Sequence, residues 1–313
     1  MLRHVLHRLL ISIPVLLGVL LVGFMLLQVV PTDPVQLIAG PEADEATRAA
    51  IRRDLGLDRP LAVQFVGYMG RVLQGDLGRS VISNRSVVEE LGLAIPPTVE
   101  LTLAALLWAV PLGLAFGTWA AVRRGKLVDR LVMALSVTGV SVPVFFLGLM
   151  LIYYVGYRWQ LLPFVGQSAP IYTLEGLSAV VLPALTLGGI LVGPIARMTR
   201  TTVLEVLRAD YVRTARAKGL REWKVVLAHV LRTALIPIVT LIGLQAAFML
   251  GGAVVTETMF AWPGLGQLAV GAILSRDFPL AQGAILILAL AFIVINLLVD
   301  IMYARLDPRV RRP

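Results

Sequence analysis

Asp210-Tyr211-Val212-Arg213-Thr214-Ala215-Arg216-Ala217-Lys218-Gly219 is a polar, basic interval in a chain that is otherwise mostly apolar, and it continues through Leu220-Arg221-Glu222-Trp223-Lys224 toward Pro237. Asp210 has the side-chain acceptor of an N-cap. Lys218-Gly219 supplies a last-turn cation followed by a residue that takes left-handed backbone without strain. The punctuation predicts a short helix with a definite stop. Leu204, Leu207, Tyr211 and Ala215 recur at helical spacing on one face, while Glu205, Arg208, Arg213 and Arg216 fall elsewhere. A segment of this kind lies against another surface without entering lipid, so it reads as a docking element.

The chain has 313 residues, 58% hydrophobic and 15% charged, with a mean hydropathy of +0.85. Soluble domains are nearer half apolar and a quarter charged, and a soluble chain of this length could not hide the surplus. The class is integral membrane protein. A net charge of +9 would point to nucleic acid only if the basic residues shared a soluble face; here they lie between apolar spans, and no nucleic acid is expected. The lack of cysteine excludes a disulfide framework, a thiolate zinc site, a cysteine nucleophile and thioether lipidation. His4, His7 and His229 form no ligand-like cluster, and no metal site is expected.

Residues 1–30 read as a cytoplasmic N-terminus and first membrane helix. Arg3, His4, His7 and Arg8 precede an almost uncharged run that continues past Val30 without the short core or cleavage site of a signal peptide. Residues 31–97 are mixed in charge and rich in glycine, and are expected to form an extracytoplasmic insertion of short helices and turns. Leu61, Phe65, Tyr68, Met69 and Leu73 recur there at helical spacing and need a surface to cover, which argues against a passive linker. Residues 98–303 form the membrane core, with spans at 99–122, 131–156, 179–198, 235–256 and 281–303 and the polar segment 205–232 between the fourth and fifth; residues 304–313 form a cytoplasmic tail. The expected fold is all-α with six transmembrane helices.

Six spans put both termini on one side. That side carries 2 Lys/Arg before the first span, 4 in residues 123–130, 9 in residues 197–232 and 4 after Tyr303, or 19 of 28; the other side holds 9, of which 7 lie in the long insertion. Short loops decide orientation, so the termini are placed in the cytoplasm. Gly113-x-x-x-Gly117 and Gly189-x-x-x-Gly193 have the spacing of close helix packing. Polar groups at depth are sparse: Ser136, Thr138, Ser141, Gln245, Asn296 and, near the inner end of the last span, Asp300. Ion-coupled carriers keep ionisable groups at depth for a purpose, so this chain draws its energy from elsewhere.

Nor does it hydrolyse ATP itself. No phosphate-binding Gly-x-x-x-x-Gly-Lys-[Ser/Thr] occurs, and Gly125-Lys126-Leu127 lacks both the upstream glycine and the hydroxyl that would hold magnesium. Gly-x-Ser-x-Gly and His-Glu-x-x-His are likewise absent. A purely structural scaffold is not excluded by residue chemistry alone.

At this point the residues carry a resemblance. Residues 210–219 resemble the cytoplasmic coupling segment of ABC-importer permeases, specifically the dipeptide, oligopeptide and glutathione transport permease family. The likeness covers nearly the whole chain: Arg8-Leu9-Leu10 with Pro14, Pro31-x-Asp33-Pro34, Leu55-Gly56-Leu57-Asp58 with Pro60-Leu61, Gly75-Asp76-x-Gly78, and Glu257 with Phe260-x-Trp262-Pro263-Gly264-Leu265-Gly266. Ile38-Ala39-Gly40-Pro41-Glu42-Ala43-Asp44 is similar to the glutathione-type branch. The general pattern, Glu-Ala-Ala, three residues, Gly, nine residues and Ile-x-Leu-Pro, is altered here. Arg213, Thr214 and Ala215 stand in its first three positions, His229, Leu231 and Arg232 in its last, and the proline is displaced to Pro237, as in the peptide-importer branch.

The resemblance implies a type I ABC-importer permease fold in a bacterial inner membrane and a role in peptide import, with glutathione as the alternative substrate. It implies a homologous second permease, two ABC ATPase subunits that hold ATP and Mg, and an extracytoplasmic substrate-binding protein, with no cofactor in this chain. It assigns ATPase coupling to Asp210, Tyr211, Arg213, Ala215, Ala217, Lys218 and Gly219. Gln245, Glu257 and Trp262 are candidates for the pathway or an outer gate, the stretch from Glu257 to Gly266 reading equally as a packed re-entrant turn. The exact substrate is left open.

Overall fold

The computed structural model describes residues 2–29, 44–54, 58–167 and 169–306, which are helical apart from turns and one isolated bridge between Arg79 and Ser86. Five helices among the described residues are long and apolar enough to cross a membrane, and a pair bent by 100° brings the number to six when counted as one span. Pro31-x-Asp33-Pro34, the 38–43 part of the glutathione-type run, Leu55-Gly56-Leu57 and the tail beyond 306 lie outside the described residues.

Helix α1 (Leu2–Val29) stands at the edge of the bundle. In the insertion, α2 (Glu45–Asp54) starts where the Thr47 N–H donates to the Asp44 carboxylate at 3.0 Å. Next comes α3 (Leu61–Leu73), which covers α1 through Phe65 and Tyr68, whose rings lie 5.4 and 6.2 Å from that of Phe24. Burial against these rings pushes the Tyr68 phenol above its ordinary pKa.

The second crossing, α4 (Val87–Val122), has 36 residues and so measures about 54 Å, well beyond a hydrocarbon core of about 30 Å. The sequence suggested a start at 99, after an insertion ending at Pro97, and prolines disfavour a helix interior. Pro96 and Pro97 sit inside the helix instead. Prolines there strip the carbonyls of Gly92 and Leu93 of their donors, and both residues are exposed, so the carbonyls are not left dry.

The single span expected at 131–156 is broken. Helix α5 (Leu127–Ser141) and helix α6 (Val144–Leu151) meet at 100°, with Val142 forced into extended backbone (φ −81, ψ 120) by Pro143. A wider, π-helical segment, Ile152–Arg158, continues α6.

The centre of the molecule is α7 (Leu174–Val206), whose apolar window is 67% buried against 17% for α1. It packs against α4, α5 and α6 through positions that have no room for a side chain. A Cβ on Gly113 would stand 2.7 Å from Ile195 Cγ2, one on Gly117 2.5 Å from Thr199 Cβ, and one on Gly193 2.5 Å from the Ser136 carbonyl. Trp108 lies over Gly188 and donates its indole N–H to the Ala184 carbonyl at 2.9 Å.

After α7 come α8 (Asp210–Ala217) and the single turn α9 (Glu222–Lys224), which widens into a π-helical segment, Val225–Val230, and runs on as α10 (Leu231–Met259). A short helix unforeseen in the sequence, α11 (Leu265–Leu274), precedes the last crossing, α12 (Phe278–Leu306). The carboxylate of Asp300, near the C-terminal end of α12, pairs with Arg8 of α1 at 3.0 Å and so is not alone.

The close approach of α4 to α7 sets an expectation. Gly117→Val should destabilise the fold by about 1–3 kcal/mol through overpacking. Gly251→Val, at a position where an added Cβ meets nothing, should leave stability unchanged. Size-exclusion recovery of folded protein after graded heating in detergent distinguishes the two; equal recovery would mean that α4 and α7 separate without cost.

Candidate functional site

Two places concentrate the residues singled out in the sequence, at opposite ends of α10. At the first, α8 is a two-turn helix held by an apolar underside. Val212 is fully buried and Ala215 nearly so, in the same cluster as Val203 of α7, Val225 and Val230 of the π-helical segment and Ala234 of α10. Tyr211, expected on that face, is exposed, and its hydroxyl donates to Thr233 Oγ1 at 3.1 Å. Val212 was overlooked although its spacing to Ala215 is as helical as that of Tyr211.

Asp210 is not the N-cap. It is the first residue of the helix, with Ala209 at the cap position, and its carboxylate stands in solvent 3.5 Å from Arg213. A pair so exposed contributes almost nothing to stability; its charge instead complements the positive end of the helix. The stop is as expected. Gly219 has φ +75, its N–H donates to the Arg216 carbonyl at 2.9 Å and the Leu220 N–H to the Ala215 carbonyl at 3.4 Å, a Schellman closure. Arg216 then grips Glu222 with two bonds of 3.1 and 2.5 Å, and those bonds raise the guanidinium pKa further above the solution range. The result is a rigid knob that leaves Asp210, Arg213, Ala217 and Lys218 exposed.

At the other end, Glu257 is fully buried in the last turn of α10. One carboxylate oxygen accepts from the Thr98 hydroxyl of α4 at 2.6 Å; the other accepts from the N–H groups of Gly266 and Gln267 at 2.6 and 3.1 Å. Thr98 Oγ1 accepts the remaining first-turn N–H, that of Leu265, at 2.8 Å. Three donors that a helix start leaves without partners are thus all satisfied by side chains from two other helices.

The Pro263-Gly264-Leu265-Gly266 motif follows from this. A Cβ on Gly266 would lie 2.9 Å from Glu257 Oε2, and one on Gly264 would overlap the same carboxylate. Trp262 is buried and donates its indole N–H to the Pro97 carbonyl at 2.8 Å. Glu257 and Trp262 are therefore brought together at the joint that fastens α11 across α4 and α10. Asp277 makes a similar joint nearby: it begins α12, accepts from the Val81 N–H at 3.3 Å and binds the Ser80 hydroxyl.

Gln245 is elsewhere, half-buried midway along α10. Beside it Leu244, Phe248, Gly251 and Val255 are exposed at spacings of four, three and four, an apolar stripe on a helix that is otherwise central to the bundle.

Comparison with known proteins now decides the family. The model for "Binding-protein-dependent transport system inner membrane component" matches residues 113–312, and the model of the corresponding N-terminal part matches residues 1–102. The chain belongs to this family. It is a multi-pass inner-membrane permease subunit of an ABC importer, and its role is transport. Among similar proteins are the glutathione transport system permease proteins GsiC of Salmonella typhimurium strain LT2, 48% identical over 313 residues, and of Escherichia coli strain K12, 45% identical over 311; both alignments cover 99% of each chain. The methionine ABC transporter MetNI, solved in inward facing conformations, shares the fold with a TM-score of 0.57 at 18% identity, over 70% of this chain and 96% of its own.

In this permease Glu257→Gln leaves one acceptor oxygen where two are used and adds a donor facing backbone N–H groups. The expected loss is about 1–3 kcal/mol of stability, seen as lower recovery of folded permease together with lower uptake. Reduced uptake at full recovery would instead assign the carboxylate to a gate.

Proposed function

We propose that α8 is the contact through which a cytoplasmic ATPase drives this permease, and the observation that carries the proposal is the rigid, exposed, basic knob anchored by Val212 and Ala215 to α7 and α10. Asp210, Tyr211, Arg213, Ala217 and Lys218 would meet the ATPase, and Gly219 would fix the direction in which the chain leaves. Both termini are then cytoplasmic, and the Glu257–Trp262 joint faces outside. Two ATPase subunits bind and hydrolyse ATP with Mg, and an extracytoplasmic binding protein delivers substrate. The exposed stripe around Leu244 and Phe248, with Gln245 beside it, would face a homologous second permease across the pathway. Alternating access of the two permeases moves short peptides inward. Glutathione, the substrate named for the relatives at 45–48% identity, is the second reading and is itself a tripeptide.

Gly219→Val tests the coupling role. No neighbour obstructs a side chain there, so the cost is backbone strain at φ +75, about 1–2 kcal/mol, or a redirected helix. The variant should insert and assemble nearly normally yet lose uptake and the substrate-dependent rise in ATP hydrolysis, both measured in reconstituted vesicles and normalised to complex recovered. Full coupling would reduce α8 to a charged loop that sets topology. A single cysteine at Lys218 should react with an impermeant thiol reagent only from the cytoplasmic side and one at Arg59 only from outside.

A further inference from the structure

Arg124, Arg200, Thr201, Leu204, Glu205 and Arg208 line an open cavity of ≈380 Å³ at the α8 end of the bundle. Arg200 and Leu204 stand one turn apart on the last turns of α7, and Arg208 lies in the turn that follows it. Arg124 comes from the turn between α4 and α5, which Gly125 reverses with φ +77. The two walls are held in fixed relation by Asp129. Its carboxylate accepts the Gly125 N–H at 2.9 Å and grips Arg200 bidentately, at 2.5 Å from Nε and 2.8 Å from Nη2.

That grip uses the one carboxylate buried beside the cavity. Glu205 is the only acid in the lining, against three guanidiniums, and Arg208 makes no ion pair among the described residues. Its position along the helices is also defined. Arg124 is two residues past the end of α4 at Val122, and Thr201 to Arg208 bracket the end of α7 at Val206, so the cavity lies at the ends of two membrane-crossing helices. Leu204 adds an apolar wall, and Leu127 and Leu131 at the start of α5 are exposed.

We propose that this cavity binds the phosphate of an anionic phospholipid headgroup in the leaflet next to α8. Basic pockets between transmembrane helices bind such headgroups through electrostatic attraction that accumulates with each arginine. A soluble phosphate offers the same charge but gains nothing from Leu204 or from a place at the ends of membrane-crossing helices. The proposal rests on the membrane reading alone and is independent of the transported substrate.

The test places the assembled transporter in phosphatidylcholine nanodiscs containing a minor fraction of spin-labelled phosphatidylglycerol and reads the immobilised lipid by EPR. The wild type should hold phosphatidylglycerol in preference to labelled phosphatidylcholine. Arg124→Gln with Arg208→Gln should weaken that preference roughly 25-fold, and Arg208→Gln alone roughly fivefold. The single variant, at an exposed position, gives the same reading should the double variant fail to assemble. Arg53→Gln with Arg59→Gln removes equal charge from the insertion and should change nothing. Unchanged retention in the cavity variants overturns the site, as does equal loss in the control pair. Displacement by inorganic phosphate without any preference for phosphatidylglycerol would assign a free-anion site and overturn the lipid. Loss of co-purifying ATPase with lipid retention intact would assign the arginines to a protein contact and overturn it too.

Discussion

The close approach of α4 and α5 to α7 is the constraint on which the remaining geometry depends. Lipid chains are as apolar as leucine, so no hydrophobic gain distinguishes a helix contact from a lipid contact, and what remains is dispersion at short range and hydrogen bonding. Gly113, Gly117, Gly188 and Gly193 let backbones or ring faces come within contact distance where any Cβ would overlap a neighbour. Trp108 uses the opening at Gly188 to reach a carbonyl of α7. Once α4 and α5 are seated, the turn between them is fixed against α7 by Asp129 and Arg200, and both ends of the bundle inherit their spacing from this contact.

At the end away from α8, the dominating requirement is that no polar backbone group be left dry. A helix start such as that of α11 exposes N–H groups, and with few waters to serve them each costs several kcal/mol in a hydrocarbon environment. Thr98 and Glu257 meet that requirement from two separate helices, and Trp262 occupies the Pro97 carbonyl in the same layer. The buried carboxylate is an unusual choice, since an acid out of water is itself expensive. Its three close donors compensate: two are N–H groups of α11 and would be lost if α11 shifted, while the third, the Thr98 hydroxyl, ties α10 to α4 directly.

The sequence revealed the class, the number of crossings, the close-packed glycine positions and the end of the docking helix, because each is written in local patterns. Apolar length signals a span, small-x-x-x-small a close approach, and Lys-Gly a left-handed stop. What it concealed was everything decided by distant residues. Nothing near Glu257 says that Thr98, 159 positions earlier, will meet it. Pro96 and Pro97 are tolerated inside α4 because Gly92 and Leu93 are exposed, which no local pattern shows. Helix α11 was missed because, isolated, its ten residues are too few to be stable, and its start is capped from elsewhere. Asp210 stands one position inside the helix that its side chain suggests it caps, and the helical spacing that picks out Tyr211 does not show that burial goes to its smaller neighbour Val212.

A helix of eight residues cannot hold its own shape either, so the stiffness of α8 is borrowed. Its underside is continuous with Val203 of α7, with Val230 of the π-helical segment and with Ala234 of α10, so under the proposed coupling a push on α8 would reach two crossings at once. The response of these two differs. Helix α7 is the most enclosed of the spans and has little freedom. Helix α10 is fastened at its far end by Glu257, while near α8 its regular ladder is interrupted by the π-helical segment Val225–Val230 and by Pro237. Interruptions of this kind are where helices bend. Under the proposed coupling, displacement of α8 is therefore taken up by bending between 225 and 237 instead of by tilting α10 whole, and the segment carrying Gln245 and the exposed stripe from Leu244 to Val255 stays with the fastened end. Gly251 on that stripe has no neighbour within 4 Å of an added Cβ. The face that the rest of the chain leaves open thus lies beyond the bend, on the part that the Glu257 joint holds.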